Sequence, residues 1–341
     1  MALHSAELLH TFRLESGKEI ASLRIAYHTY GTLNAEKDNV IWVCHALTAN
    51  SDVADWWSGL FGKGRFFDPD RYFVVCPNNL GSCYGSSGPA DALPGQEAPL
   101  FSAFPLFSTH DMVQLHEVLR QHLGITRIHT LIGGSQGGQQ ALTWSVLQPA
   151  LAERLVLIAC NLRHSAWGIA FNETQRMAIA SDPSWGHPHK DAGLAGLSTA
   201  RAIALLSYRN YTTYSHFQAD EDYSPGALRR AATYQRHQGS KLCRRFNAWS
   251  YWYLSQAMDT HNAAKGFSSA REALRRIQAH TLLIGIHSDL LFPPAEQAEL
   301  ARLIPRATLR YIDSVYGHDG FLTETAAIQL LLNEFYNTAN Q

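Results

Sequence analysis

No apolar run in the sequence approaches the ~18 residues that a membrane-spanning helix needs, so no membrane association is expected. The opening stretch, MALHSAELLHTFRLESG, carries acidic residues and lacks the apolar block of a secretory signal. Cysteine is scarce: Cys44, Cys76, Cys83, Cys160 and Cys243 make an odd number without CxxC spacing. Three of them sit in or beside apolar runs (WVCHAL, FVVCP, LIACN). That placement predicts buried, reduced thiols in a cytoplasmic protein rather than a disulfide framework. Neither sign of charge is in excess, since 28 Lys and Arg stand against 29 Asp and Glu for a net charge of -1. With no basic stripe and no acidic tail, no nucleic-acid partner is expected. The 17 histidines are dispersed, with no HExxH or paired-ligand spacing, so no metal is expected. P-loop and GxGxxG patterns are also missing.

What is present suits one large α/β domain, or a core with an insertion: 341 residues, 46% of them hydrophobic. Short β-branched runs recur at 39–47, 72–78, 128–134 and 154–161, with helix-patterned stretches at 111–125 and 138–150 between them. In the first of these helices Met112, Leu115, Val118, Leu119 and Leu123 fall near a helical period. Strands alternating with helices predict a mostly parallel sheet covered on both faces. From 165 to 275 strand signals are few, and stretches such as STARAIALLSYRNY and FNAWSYWYLSQAMD are helix-compatible. Strand signals return at 280–289 and 308–314, and a helical pattern closes the chain. The expected organisation is an α/β core over 1–164, a helical lid over 165–275, and the rest of the core over 276–341.

The stretch LIGGSQGGQQALTW (131–144) surrounds one serine with glycines. Gly133-Gly134-Ser135-Gln136-Gly137 is G-x-S-x-G between a strand-like and a helix-like run, the context of a nucleophile elbow. Such a turn is so tight that neighbouring backbone excludes side chains, and it thrusts the serine Oγ out of the carboxyl edge of the sheet. The helix that follows aims N–H groups and the positive end of its dipole at the same point, where an oxyanion would be stabilised.

A nucleophilic serine needs a base and an acid to orient the base. In this architecture they follow in the order acid, then histidine. Asp289, just past the run HTLLIGIHSD and before a Phe-Pro-Pro stop, is the preferred acid, and His318, in SVYGHDGFL, is the preferred base. Asp313 and Asp319 remain rival acids, and His287 and His280 weaker bases. The second oxyanion donor is expected from the loop after an early strand, at Leu47, with Gln136 supplying the first; His45 in that loop reads as a shaping residue.

Together, CHALTANSDVADWW, NNLGSCYGSSGP, GGSQGGQQALTW, IAFNETQRMAI, SDLLFPP and YGHDGFL resemble, in order from about residue 10 to residue 325, the homoserine O-acetyltransferase family. The resemblance implies an α/β-hydrolase fold with a helical lid, and acyl transfer from acetyl-CoA to L-homoserine by a ping-pong route through an acyl-serine. It implies acetyl-CoA as a co-substrate with no bound cofactor, and a cytoplasmic homodimer paired through lid helices. Residue by residue it puts the triad on Ser135, Asp289 and His318, and the oxyanion hole on Leu47 and Gln136. It puts the acceptor-binding arginine on Arg176 and the aspartate that holds the substrate amine on Asp319. Arginine and aspartate are the chemical partners of an amino acid's carboxylate and ammonium. The chain departs from the family pattern at Gln136, where methionine is usual, at His110 for arginine and at Thr143 for glutamate. The Gln136 side chain is expected at the acyl or acceptor pocket. The alternatives are the same machinery with L-serine or succinyl-CoA, or a hydrolase in which water takes the acyl group.

Overall fold

The computed structural model describes residues 2–8 and 11–338. In chain order its strands are β1 (Ala2–Leu8), β2 (Phe12–Arg13), β3 (Glu19–Ile20), β4 (Leu23–Tyr30), β5 (Val40–Cys44), β6 (Phe73–Pro77), β7 (Ile128–Gly134), β8 (Ala152–Ile158), β9 (His280–Ile286) and β10 (Ala307–Ile312). Its helices are α1 (Val53–Trp56), α2 (Thr109–His122), α3 (Gln136–Leu147), α4 (Ala166–Ala180), α5 (Leu194–Tyr208), α6 (Tyr211–Phe217), α7 (Arg230–Cys243), α8 (Ala248–Asp259), α9 (Ala270–Arg275), α10 (Pro294–Leu303), α11 (Gly320–Thr323) and α12 (Thr325–Thr338). Among the described residues, eight strands form one sheet in the order β1-β4-β6-β5-β7-β8-β9-β10, while β2 and β3 pair separately.

From β6 to β10 every pairing is parallel, and β1, β4 and β6 are joined antiparallel at the other edge. A parallel sheet must be covered on both sides, and β5, VIWVC, is buried along its whole length. Successive residues of a strand face opposite ways, so Trp42 and Cys44 join one core cluster and Ile41 and Val43 the other. The first cluster is closed by α2, α3 and α10 through residues such as Met112, Leu115, Trp144 and Leu300. The second is closed from the opposite side by Trp57, Phe321, Ile328 and Leu332. Helix α2 starts at a reciprocal cap: the Asp111 amide donates to Ser108 Oγ at 3.2 Å, and the Ser108 amide donates to the Asp111 carboxylate at 2.7 Å.

The α/β-hydrolase architecture expected from the sequence is the one observed. The runs at 39–47, 72–78, 128–134, 154–161, 280–289 and 308–314 correspond to β5 through β10. Several end sooner than their apolar run, because the residues after β5, β8 and β9 turn into loops at the carboxyl edge. The antiparallel edge was not anticipated: β1 is largely exposed and carries histidine, serine and glutamate. Between β8 and β9 the elements are helical, α4 to α9. The chain order reverses at β5, which lies between β6 and β7, and open α/β sheets bind ligands in the crevice at such a reversal.

Candidate active site

Four loops converge at the carboxyl edge of the sheet. Leu47 follows β5, Ser135 follows β7, Asp289 follows β9 and His318 follows β10. Ser135 is the N-cap of α3 and sits at φ 55 and ψ -127, a conformation that L-residues rarely adopt. Two features hold it there. Its amide donates to the carbonyl of Ile158 at 3.0 Å. The elbow is also packed too closely for side chains: a Cβ on Gly137 would lie 2.7 Å from the carbonyl carbon of Cys44, at the end of β5, and closer still to its oxygen. A Cβ on Gly133 would lie 2.7 Å from the amide nitrogen of Gly138. The glycines of the motif thus seat α3 directly on β5 and β7.

The three expected catalytic side chains meet. His318 Nε2 lies 2.9 Å from Ser135 Oγ, and His318 Nδ1 lies 2.7 Å from Asp289 Oδ2. The other oxygen of Asp289 accepts from the amides of Leu291 and Phe292, each at 2.8 Å, which fixes the carboxylate with one oxygen turned to the imidazole. Ser135, Asp289 and His318 are all buried. The imidazole packs among the rings of Phe292, Phe321 and Tyr208, with centroids 5.1, 5.2 and 5.8 Å away. The rival acids have other partners: Asp313 is 94% exposed and pairs with His287, and Asp319 pairs with Arg209 at 3.2 Å.

Ser135 and His318 line a cavity of about 390 Å³ together with Leu47, Arg201, Tyr208 and Asp319. Neither the Leu47 amide nor the Gln136 amide has a hydrogen-bond acceptor among the described residues. Gln136 opens α3, where first-turn amides have no intrahelical partner. His45 shapes the neighbouring loop: its Nδ1 bonds the carbonyl of Ala46 at 2.8 Å and its Nε2 accepts from the Asn79 amide at 3.1 Å. Burial pulls its pKa down to about 4, so it is neutral at physiological pH.

Two sequence expectations are corrected. The Gln136 side chain is absent from the cavity lining; it is fully buried and donates to the carbonyl of Leu254 on α8 at 3.1 Å. Arg176 is not brought to the cavity either. Its Nη2 meets Asp259 at 2.6 Å and Glu173 at 2.8 Å, and its Nη1 donates to Ser255 at 3.2 Å. Two carboxylates already occupy this guanidinium, leaving it unsuited to a third. Two other arginines line the cavity, Arg201 and Arg245, and Arg201, on α5, lies seven positions before Tyr208 and over its ring at 5.2 Å. The signal was present in STARAIALLSYRNY, where Arg201 and Tyr208 interrupt an apolar helix two turns apart, on one face.

Arg176 has a different task. Asp259 also accepts from Asn172 Nδ2 at 2.7 Å, and Asn172 lies 3.2 Å from His164 Nε2. His164 Nδ1 lies 3.3 Å from Gln139 Nε2 on α3, and that nitrogen also donates to Asn161 at 2.9 Å. Asn161 in turn donates to Glu296 at 3.1 Å; burial, opposed by this bond and reinforced by the charge of Asp289, pushes Glu296 up to about 7. This polar chain ties α4 and α8 to the helix behind the serine. Replacing Arg176 with leucine leaves Asp259 uncompensated and is expected to cost about 3 kcal/mol, measured by denaturant unfolding, with far less effect on acceptor KM than loss of Arg201.

The matches to known proteins agree with this geometry. Residues 39–325 match the family model described as alpha/beta hydrolase fold. The chain is 45% identical over 323 residues to the homoserine O-acetyltransferase of Cyclobacterium marinum, covering 95% of this chain and 92% of that one. It is 42% identical over 336 residues to the homoserine O-acetyltransferase of Nostoc punctiforme, covering 96% and 94%. Among solved structures, homoserine O-acetyltransferase from Bacillus anthracis superposes with a TM-score of 0.90 at 26% identity, over 100% of this chain and 98% of that one.

Proposed function

Because the chain belongs to the homoserine O-acetyltransferase family of the α/β-hydrolase fold, we propose that it moves the acetyl group of acetyl-CoA to the side-chain hydroxyl of L-homoserine by way of an acetylated Ser135. Acetyl-CoA is a co-substrate, not a resident cofactor, and the reaction belongs to methionine biosynthesis. The observation that carries the mechanism is the unbroken line of hydrogen bonds from Ser135 through His318 to Asp289.

In the first half-reaction His318 Nε2 takes the Ser135 proton as Oγ attacks the thioester carbonyl. The unengaged amides of Leu47 and Gln136 are the donors for the oxyanion. The C–S bond breaks and the CoA sulfur leaves with the proton held by His318. In the second half-reaction L-homoserine enters the vacated cavity. His318 removes its hydroxyl proton, the oxygen attacks the acetyl-serine, and collapse returns that proton to Ser135 Oγ. Asp289 holds the imidazole tautomer and offsets its charge in both halves.

An amino-acid acceptor brings a carboxylate and an ammonium group. Arg201 and Asp319, both lining the cavity, are the matching partners, and Arg201 takes the role that the family resemblance assigned to Arg176. Arg201→Leu is expected to raise the acceptor KM by about tenfold or more. Acetylation of the enzyme, followed as a burst of CoA release, should change little. Helices α4 to α9 act as the lid that keeps water from the acetyl-serine. Trp167 and Met177 on α4, Leu206 on α5 and Tyr211 on α6 are exposed apolar side chains of this helical layer and support homodimer pairing through it. A cytoplasmic location follows from the donor; no described helix is long and apolar enough to cross a membrane.

The test is CoA release with acetyl-CoA or succinyl-CoA, each crossed with L-homoserine, L-serine and no acceptor. The expected result is release that requires acetyl-CoA and L-homoserine, with O-acetylhomoserine as the product. Sustained release without an amino acid would make the protein a thioesterase.

A further inference from the structure

The cavity above Ser135 carries more positive charge than an amino-acid acceptor requires. Arg201, Lys241 and Arg245 line it, against Asp55 and Asp319, and Asp319 is already paired with Arg209. The three cations lie at different depths. Arg201 is half-buried, whereas Lys241, in the last turn of α7, and Arg245, just past that helix, are exposed. Neither Lys241 nor Arg245 has an acidic partner among the described residues. Arg245 is nonetheless held in place: its Nη1 donates to the carbonyl of Thr48 at 2.5 Å and lies 2.6 Å from Tyr84 Oη. Its remaining N–H groups have no acceptor among the described residues. Thr48 directly follows Leu47, so Arg245 joins the cavity mouth to the loop that carries an oxyanion donor.

Resting on the acetyl-CoA reading above, we propose that Lys241 and Arg245 form the subsite for the phosphate groups of the CoA donor. Acetyl-CoA combines a small neutral thioester with a phosphorylated nucleotide. A cavity of about 390 Å³ takes the acetyl end and part of the arm, not the whole molecule. The phosphates must stay where water still solvates them, because burying such charge is costly. Exposed cations at the mouth of the Ser135 cavity meet that requirement. Arginine adds planar donors suited to phosphate oxygens, and lysine a point charge. The single carboxylate of the acceptor is matched deeper in, by Arg201, and leaves the outer pair free for the donor.

The experiment compares two donors on the full chain with L-homoserine as acceptor: acetyl-CoA, and S-acetyl-N-acetylcysteamine, which keeps the thioester and lacks every phosphate. The quantity read is the ratio of their kcat/KM values, in which any damage common to both donors cancels, including loss of the Thr48 contact. Lys241→Gln and Arg245→Gln should each shrink the preference for acetyl-CoA by about tenfold, and Arg245→Lys should recover part of it. In the unaltered protein, adenosine 3′,5′-bisphosphate should compete with acetyl-CoA, and Lys241→Gln should weaken that competition. An unchanged ratio in the variants would overturn the proposal and leave Lys241 as a charge favourable to a helix C-terminus. So would absence of competition in the unaltered protein, which also decides the matter if the variants do not fold. Absence of turnover with both donors in the unaltered protein would instead strike the acetyl-CoA reading itself.

Discussion

Ser135→Ala is expected to lower kcat by about 10³-fold or more and to abolish the covalent intermediate, while acetyl-CoA still binds. The size follows from geometry. Ser135 Oγ is the atom 2.9 Å from the His318 imidazole, and the strained turn that presents it offers no neighbouring hydroxyl in its stead. Alanine is close to isosteric with serine here and replaces a buried group, so stability should be little changed. His318→Ala should cost as much, because the three groups act as a unit and their individual losses do not add. Kinetics of CoA release and intact-protein mass after mixing with acetyl-CoA read the two halves of this prediction. Turnover by Ser135→Ala within about tenfold of the unaltered protein would remove the serine from the mechanism.

Gly137→Ala carries the largest expected effect on stability. Its new methyl group would sit 2.7 Å from the Cys44 carbonyl carbon and closer to the oxygen. What it meets is backbone at the end of a fully buried strand, not the tip of a side chain that could rotate away. Either α3 lifts off β5 or β5 bends, and each disturbs a close-packed interior. A loss of about 4 kcal/mol places the substitution among the rare severe ones. The same movement carries the Gln136 amide and Ser135 with it, so any folded fraction should also lose activity. Denaturant unfolding measures the first effect; a change below about 1 kcal/mol would show that the elbow is looser than its glycines imply.

These two residues were legible in the sequence because their chemistry is local. A tight strand-to-helix turn needs glycines at fixed offsets from the serine, and the offsets are visible in a linear string. The parallel strands were legible for a related reason: strands buried on both faces are continuous apolar runs, as in VIWVC and RLVLI. The antiparallel edge was not. In β1 the exposed positions carry Leu3, His4 and Ser5, and pairing with β4 rather than side-chain pattern makes it a strand. Asp289 and His318 were legible as positions after late strands, although Asp313 and Asp319 remained in competition. Only the fold shows that Asp313 faces solvent and that Asp319 turns to Arg209.

Arg176 and Arg201 mark the point where sequence reading stopped. Both lie on helices of the same excursion, and a motif can assign a charge to a stretch but not to a face of a cavity. Arg176 is turned inward by Asp259 on α8, a partner 83 positions away. Gln136 is similar: its side chain bonds Leu254, 118 positions away, and so leaves the cavity. Long-range partners of this kind decide which polar residues serve the fold and which serve the substrate.

The central claim is that Ser135 carries the acetyl group between donor and acceptor. The most direct measurement mixes the protein with acetyl-CoA without an acceptor, quenches within one turnover, and locates the added mass by peptide mapping. The account predicts one acetyl group on the peptide containing Ser135, with one equivalent of CoA released, and its loss on addition of L-homoserine as O-acetylhomoserine forms. An enzyme that makes O-acetylhomoserine at full rate while never carrying acetyl on that peptide would contradict it.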